Sequence, residues 1–301
     1  METNITVAKK RQFAETLAQK IFFLAAIFAV GAVVAIIILI FTRGSRPFLP
    51  GNVYGTYNFF SFITGTFWRP AVGEFGVLYM IVGSLLATLG AILIGVPVGL
   101  LTAVFIAEIA PPWLAKIMQP TVELLAAIPS VLYGVFGFAV IVPVINNISP
   151  NPTGHSLLAV ILVLAIMVLP SIVAISVTSL KAVPQHYKEG SLGLGASHIQ
   201  TIFKVIIPSA KSGILTAIVL GVGRAIGETM AVILVAGNPE SGIPTSIFDQ
   251  VRLLTTNIVL EQGYAAELQE QMLFATVIVL FLFILAINLT LSKIRKKAVE
   301  N

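Results

Sequence analysis

The 301-residue chain contains no cysteine, which removes disulfide frameworks, thiol nucleophiles and cysteine-based metal sites from consideration. Charge is scarce as well: 10% of residues are Asp, Glu, Lys or Arg, against about 25% in soluble globular domains. A G-x-x-x-x-G-K-[ST] loop is missing, so nothing supports nucleotide binding by this chain itself. The glycine strings at 190–195 and 221–227 do not match the dinucleotide fingerprint. His155, His186 and His198 lack metal-ligand spacing. The expectation is a chain that is not an enzyme and holds no metal or cofactor of its own. What is present is apolar: 57% of residues are hydrophobic and the mean hydropathy is +0.99, the composition of a polytopic membrane protein.

Six apolar runs are long enough to span a bilayer: 21–41, 77–106, 122–145, 157–179, 212–236 and 272–292. The first exceeds the roughly 7 to 15 residues of a cleavable signal core, so it reads as an uncleaved helix peripheral to the other five. Pro97 lies between Gly95 and Gly99 in the second run, where a missing helical hydrogen bond predicts a kink. No ten-residue alternation suggests a barrel, and lipid requires every backbone polar group to be satisfied internally. The predicted fold class is therefore an all-α membrane bundle of six transmembrane helices. Its expected parts are a tail at 1–20, a first helix at 21–41, an extracytoplasmic loop at 42–75, a transmembrane domain at 76–292 and a second tail at 293–301.

Lysine and arginine set the expected orientation. Thirteen of them fall in the N-terminal tail, the loops around 116 and 181–211, and the C-terminal tail, whereas Arg43, Arg46, Arg69 and Arg252 lie on the opposite side. The positive-inside rule places both termini and the loop at 184–208 in the cytoplasm, with the chain multi-pass in its membrane. The net charge of +5 thus records topology rather than a nucleic-acid partner.

Between the fourth and fifth runs, residues 184–208 form a polar loop with a defined internal pattern. Gly195 supplies the positive φ that a sharp reversal requires, and Ser197 is placed to cap a second short helix. Tyr187, Leu192 and Leu194 offer an apolar surface on the aqueous side, a physical description of a docking face. An amphipathic loop held on the bilayer surface by Lys188, Lys204 and Lys211 is the competing reading.

Arg224 and Glu228 are the only charges well inside an apolar run. Their spacing of four predicts one helix face and a mutual ion pair. Intramembrane charges mark substrate or ion pathways, and the planar arginine fork matches a tetrahedral oxyanion. A carboxylate beside it accepts a hydrogen bond from an anion that keeps a proton, favouring hydrogen phosphate over sulfate. Glu123, Pro129 and Ser130, with Tyr133 close by, are gating candidates at the start of the third run, Glu123 being expected near a helix N-terminus. The aromatic stretch 42–75 reads first as an interfacial belt. The outer loop 237–271 carries Glu240, Asp249, Glu261, Glu267 and Glu270 against Arg252 and is expected to repel anions.

Glu189, Gly195 and Val205-x-Ile207-Pro208 fit the spacing of the E-A-A-x3-G-x9-I-x-L-P loop of ABC importer permeases, with Gly190 and Ser191 in place of its two alanines. Gly-Arg-Ala-Ile-Gly-Glu-Thr-Met-Ala-Val at 223–232 and Glu-Leu-Leu-Ala-Ala-Ile-Pro-Ser-Val-Leu-Tyr-Gly at 123–134 together resemble PstC-type permease subunits of bacterial phosphate ABC importers. Sulfate and molybdate permeases share a similar Arg-Ala-x-Gly-Glu stretch. The resemblance implies a type I ABC importer permease fold, with 184–208 as the coupling loop. It also implies a homologous second permease, two ATPase subunits that bind ATP and Mg, and an extracytoplasmic phosphate-binding protein. An ion-gradient-driven anion carrier is the rival class.

Overall fold

A computed structural model describes residues 2–150 and 153–300, with side-chain surroundings at 12, 15–150 and 153–297. In chain order the helices are α1 (Glu2–Ser45), α2 (Phe59–Thr64), α3 (Leu78–Val104), α4 (Pro112–Ala127), α5 (Ser130–Phe136), α6 (Val142–Asn146) and α7 (Leu157–Lys181). They continue as α8 (Gln185–Gly193), α9 (His198–Thr201), α10 (Ile207–Ser209), α11 (Lys211–Gly227), α12 (Met230–Ile233), α13 (Leu254–Gln262) and α14 (Glu267–Glu300). A small antiparallel hairpin pairs β1 (Trp68–Arg69) with β2 (Glu74–Phe75). Wide π-type turns follow α3, α5 and α9, at Phe105–Ile109, Gly137–Ile141 and Ile202–Ile206.

Four segments, 15–48, 78–109, 157–181 and 267–297, are single helices long and apolar enough to cross a membrane. Two further crossings are bent pairs: α4 with the 130–146 segment at 95°, and the 198–209 segment with α11 at 69°. Counting each pair as one gives the six spans expected, but the third and fifth are not the unbroken helices of the 122–145 and 212–236 runs. In the third, Pro129 disfavours helical geometry at the residue before it, and Ile128 is extended at φ −64°, ψ 128°. The fifth ends at Gly227, because Glu228 is extended at φ −73°, ψ 132°. The helix over the second run continues through Pro97 as one element.

Over residues 2–20 and 293–300 of the expected tails, α1 and α14 run on as continuous helix. The side chains of Lys9, Lys10 and Arg11 lie outside the described residues. At about 1.5 Å per residue the 44-residue α1 is roughly 66 Å long, twice the hydrocarbon thickness. As expected it is peripheral. Among the described residues it packs mainly along α14, through Gly44 against Phe274, an edge contact of Phe41 with Phe281, and an Arg43–Glu270 ion pair of 2.8 Å.

The centre of the bundle is α7, the most buried of the spans, held between α3 and α11. Lipid tails offer no hydrophobic drive between helices, so close approach through small residues takes over. Gly90, Gly95 and Gly99 of α3 lie against Ile161, Val168 and Ile172 of α7, and Gly221 of α11 meets Ile172 from the other side. A Cβ at position 95 would sit 2.8 Å from Val168 Cγ2, with the Ala165 carbonyl 3.4 Å behind it.

At the N-terminal end of α3, Phe62, Trp68 and Phe75 are buried with Tyr79, Met80, Leu254 and Met272. Part of the aromatic stretch is therefore a small core. Tyr54, Phe59, Phe60 and Phe67 remain exposed, where a belt requires them. The loop after α12 caps α7: the Leu157 and Leu158 amides donate to the Asp249 and Ile247 carbonyls, both at 2.8 Å. Residues 251–257 then turn inward and are buried against α3.

Gly95→Leu is expected to overpack this seam at a cost of about 1–3 kcal/mol and lower the thermal unfolding midpoint of the purified protein. Gly31→Ala in α1, where a Cβ meets nothing within 4 Å, serves as the neutral comparison.

Candidate translocation site

Arg224 is fourteen residues into α11, about 20 Å along it at 1.5 Å per residue. It sits in the last turn, where the helix dipole favours a cation. Its side chain is half-buried and does not pair with Glu228. Instead Nη1 donates to Ser171 Oγ of α7 at 3.0 Å, one residue past Pro170 within that helix. The predicted ion pair fails because α11 stops between the two residues, which removes the helical spacing the pairing depends on. Neither Arg224 nor Glu228 takes part in an ion pair among the described residues.

Glu228 has a structural task at the break. Its carboxylate accepts from the Ala231 amide at 3.1 Å, and its own carbonyl accepts from Thr255 Oγ1 at 3.1 Å. A backbone interruption in a membrane needs such partners, because an unsatisfied group there costs several kcal/mol. Thr255 comes from the buried 251–257 segment.

The break in the third span lies alongside. Tyr133 of α5 donates its hydroxyl hydrogen to the Leu125 carbonyl at 2.7 Å, bridging from one side of the bend to the other. The two broken spans also touch directly, since a Cβ at Gly134 would lie 2.7 Å from Ala231 Cα. A cleft of about 190 Å³ lies under Tyr133, walled by Thr102, Val122, Leu125, Ile166, Leu169, Pro170 and Val173. Its lining is apolar apart from Thr102 and Tyr133, so it is a space for movement rather than an anion site.

Of the gating candidates, Pro129 and Ser130 stand at the bend, as the residue before α5 and its first residue. Glu123 is not near a helix N-terminus. It lies towards the C-terminal end of α4, accepting from Gln119 Nε2 at 3.3 Å, while Gln119 Oε1 accepts from Lys181 Nζ at 2.8 Å. The acidic 237–271 loop is less repulsive than its sequence suggests. Glu261 pairs with buried Arg252, Glu270 pairs with Arg43, and the Asp249 carboxylate accepts from the Thr245 and Ser246 amides.

In the 184–208 loop, α8 and α9 meet around Gly195, whose φ of 87° is left-handed. Ser197 caps α9 by accepting from the Gln200 amide, and the Gln200 side chain accepts from the Ser197 amide in return. Tyr187, Leu192 and Leu194 are exposed, Leu194 at 92%. Glu189 is also exposed, whereas Lys188 turns inward to Glu108. Helix geometry continues through Pro208, and the turn falls at Ala210.

Ser171, Thr255 and Glu108 escaped the sequence reading. Pro170-Ser171 repeats the Pro-Ser dipeptide of the third run and was the available signal for Ser171. Thr255 and Glu108 are meaningful only through tertiary contacts.

Residues 95–297 match the family of binding-protein-dependent transport system inner membrane components, and the chain belongs to that family. It is 40% identical over 295 residues to the probable ABC transporter permease protein YqgH of Bacillus subtilis, covering 95% of this chain and 94% of that one. It is 33% identical over 288 residues to the phosphate transport system permease protein PstC of Pasteurella multocida, covering 89% of each. Among solved structures it superposes on a chain of a bacterial alginate ABC transporter crystallised with its alginate-bound periplasmic protein. The TM-score is 0.60 at 16% identity, over 91% of this chain and 96% of that one. A chain of the inward-facing MetNI methionine ABC transporter gives 0.55 at 21% identity, over 74% and 94%. The fold is thus the type I ABC importer permease fold.

Tyr133→Phe is expected to lower stability by about 1 kcal/mol through loss of the bond across the bend. Faster amide hydrogen exchange confined to residues near 125–133 would accompany it.

Proposed function

We propose that this chain forms one half of an ATP-driven pathway for inorganic phosphate across the bacterial inner membrane, with both termini cytoplasmic. The observation that carries this reading is the partner of Arg224. A neutral serine hydroxyl holds the guanidinium in place without cancelling its charge, and most of its five donors are left for an oxyanion. Ser171 lies one residue past Pro170 on α7, so the hydroxyl that holds the guanidinium comes from the central helix. Similarity to PstC proteins across most of the chain supports phosphate as the cargo.

The exposed apolar residues Tyr187, Leu192 and Leu194, with Glu189 beside them and Gly195 setting the reversal, make the surface on which an ATPase subunit docks. ATP and Mg belong to two copies of that partner. A homologous second permease completes the pathway, and an extracytoplasmic phosphate-binding protein delivers the ion. Nucleotide-driven closure of the ATPases pushes α8, and rigid-body rocking of the spans exposes Arg224 to one side and then the other. The bends at Ile128–Pro129 and Glu228 are the gating positions in this scheme.

A sulfate- or molybdate-type oxyanion is favoured by one observation. The Glu228 carboxylate already accepts from the Ala231 amide, which leaves it less free to read the proton of hydrogen phosphate.

Co-purification with the ATPase, followed by reconstitution, tests the reading. Arg224→Ala is expected to reduce phosphate uptake by about 10- to 100-fold, the scale of a charge-assisted hydrogen bond. Glu228→Gln should narrow the preference for phosphate over sulfate; unchanged uptake and preference would assign Glu228 to the break alone. Uptake by the isolated subunit under a proton gradient would overturn the ATP-driven reading.

A further inference from the structure

The geometry points to Lys188–Glu108 as the latch that sets how α8 is attached to the transmembrane body, making both residues positioning residues for energy coupling. The inference rests on the proposal that α8 receives the ATPase.

Lys188 Nζ and Glu108 Oε2 are 2.7 Å apart. Among the described residues this is the ion pair that ties the 184–208 loop to another part of the chain. Glu108 belongs to the wide turn at the end of α3, and its side chain is only 9% exposed. It shares a cleft with Leu180, Val183 and Ile206, next to the apolar cluster that joins α3, α7 and the segment after α9. A carboxylate this deep is costly unless paired, and removing its partner leaves the charge uncompensated. The pair therefore resists separation far more than a solvated surface bridge.

Its position gives it a task. Between α7 and α8 lie only Ala182, Val183 and Pro184, and although Pro184 fixes its own φ, the angle between the two helices is not set by this linker alone. The latch closes a triangle of α7, α8 and the end of α3. Displacement of α8 then reaches α3 directly. Through the glycine seam it reaches α7 and Ser171, which holds Arg224. Without the latch, α8 keeps its tie to α9 through Ser191 and Thr201 but loses its direct connection to α3, and the motion passed to that helix falls.

The test uses the whole transporter, with ATPase and binding protein, in proteoliposomes with inorganic phosphate. Lys188→Glu, Glu108→Lys, the double exchange, and the neutral pair Lys188→Met with Glu108→Gln are compared. Three quantities are read: ATPase subunits retained, ATP hydrolysed, and phosphate moved per ATP. Each single charge reversal is expected to retain the ATPase yet lower phosphate moved per ATP about tenfold, within the range of coupling between contacting residues. The double exchange should restore most of it. The neutral pair should keep thermal stability without restoring the ratio, which separates latch from fold. Single reversals that leave the ratio intact, or a double exchange as defective as the worse single, would overturn the latch. A wild-type chain that retains no ATPase would instead overturn the docking proposal on which it rests.

Discussion

A helix that is interrupted inside a bilayer releases backbone amides and carbonyls where no water can receive them, and the interior of this protein is arranged around meeting that demand. The two interruptions are met in different ways. At Ile128–Pro129 the proline has no amide to satisfy, and the Tyr133 hydroxyl takes up the Leu125 carbonyl. At Glu228 a carboxylate and a threonine from a distant segment serve the freed groups. Because α5 lies on α12 at backbone distance, the two interrupted spans are in direct contact, and Arg224, in the last turn before the second interruption, is held by Ser171 of α7.

The dependence runs outward from there. Thr255 is available to Glu228 only because residues 251–257 are folded inward, where the Leu254 amide donates to Ser84 of α3 and Arg252 pairs with Glu261. That inward fold in turn begins from the loop that caps α7. The helix carrying Ser171, the segment carrying Thr255 and the helix carrying Arg224 are thus held in register by hydrogen bonds at both ends and by glycine contacts between.

Much of this was legible in the sequence. Run lengths identified the membrane crossings, the lone intramembrane charges singled out 224 and 228, and Gly195 with Ser197 foretold the two short helices of the 184–208 loop. Hydropathy did not register the breaks, because one proline at 129 is averaged away among strongly apolar neighbours and Glu228 lies within an otherwise helical pattern. Spacing of four residues implied a pair, but it carries that meaning only while the helix continues. The partners that matter most, Ser171, Thr255 and Glu108, are joined to the site across 53, 27 and 80 residues of sequence, and such contacts have no local signature. The outer loop misled for the same reason: its acids look like a solvated surface until Arg252, Arg43 and the turn at Asp249 are seen to engage them.

The cap on α7 restricts how this protein is able to vary. Between Glu240 and Asp249 the chain is pinned at Glu240 to the Trp68 amide, at Thr245 and Ser246 to Asp249, and at Ile247 and Asp249 to the first two amides of α7. A surface loop ordinarily absorbs an inserted residue by bulging into solvent. Here an insertion shifts one end of the segment against the other, leaving either the hairpin at Trp68 or the head of the central helix unmatched. The loop has no slack, and its length is as much a part of the architecture as the length of a span.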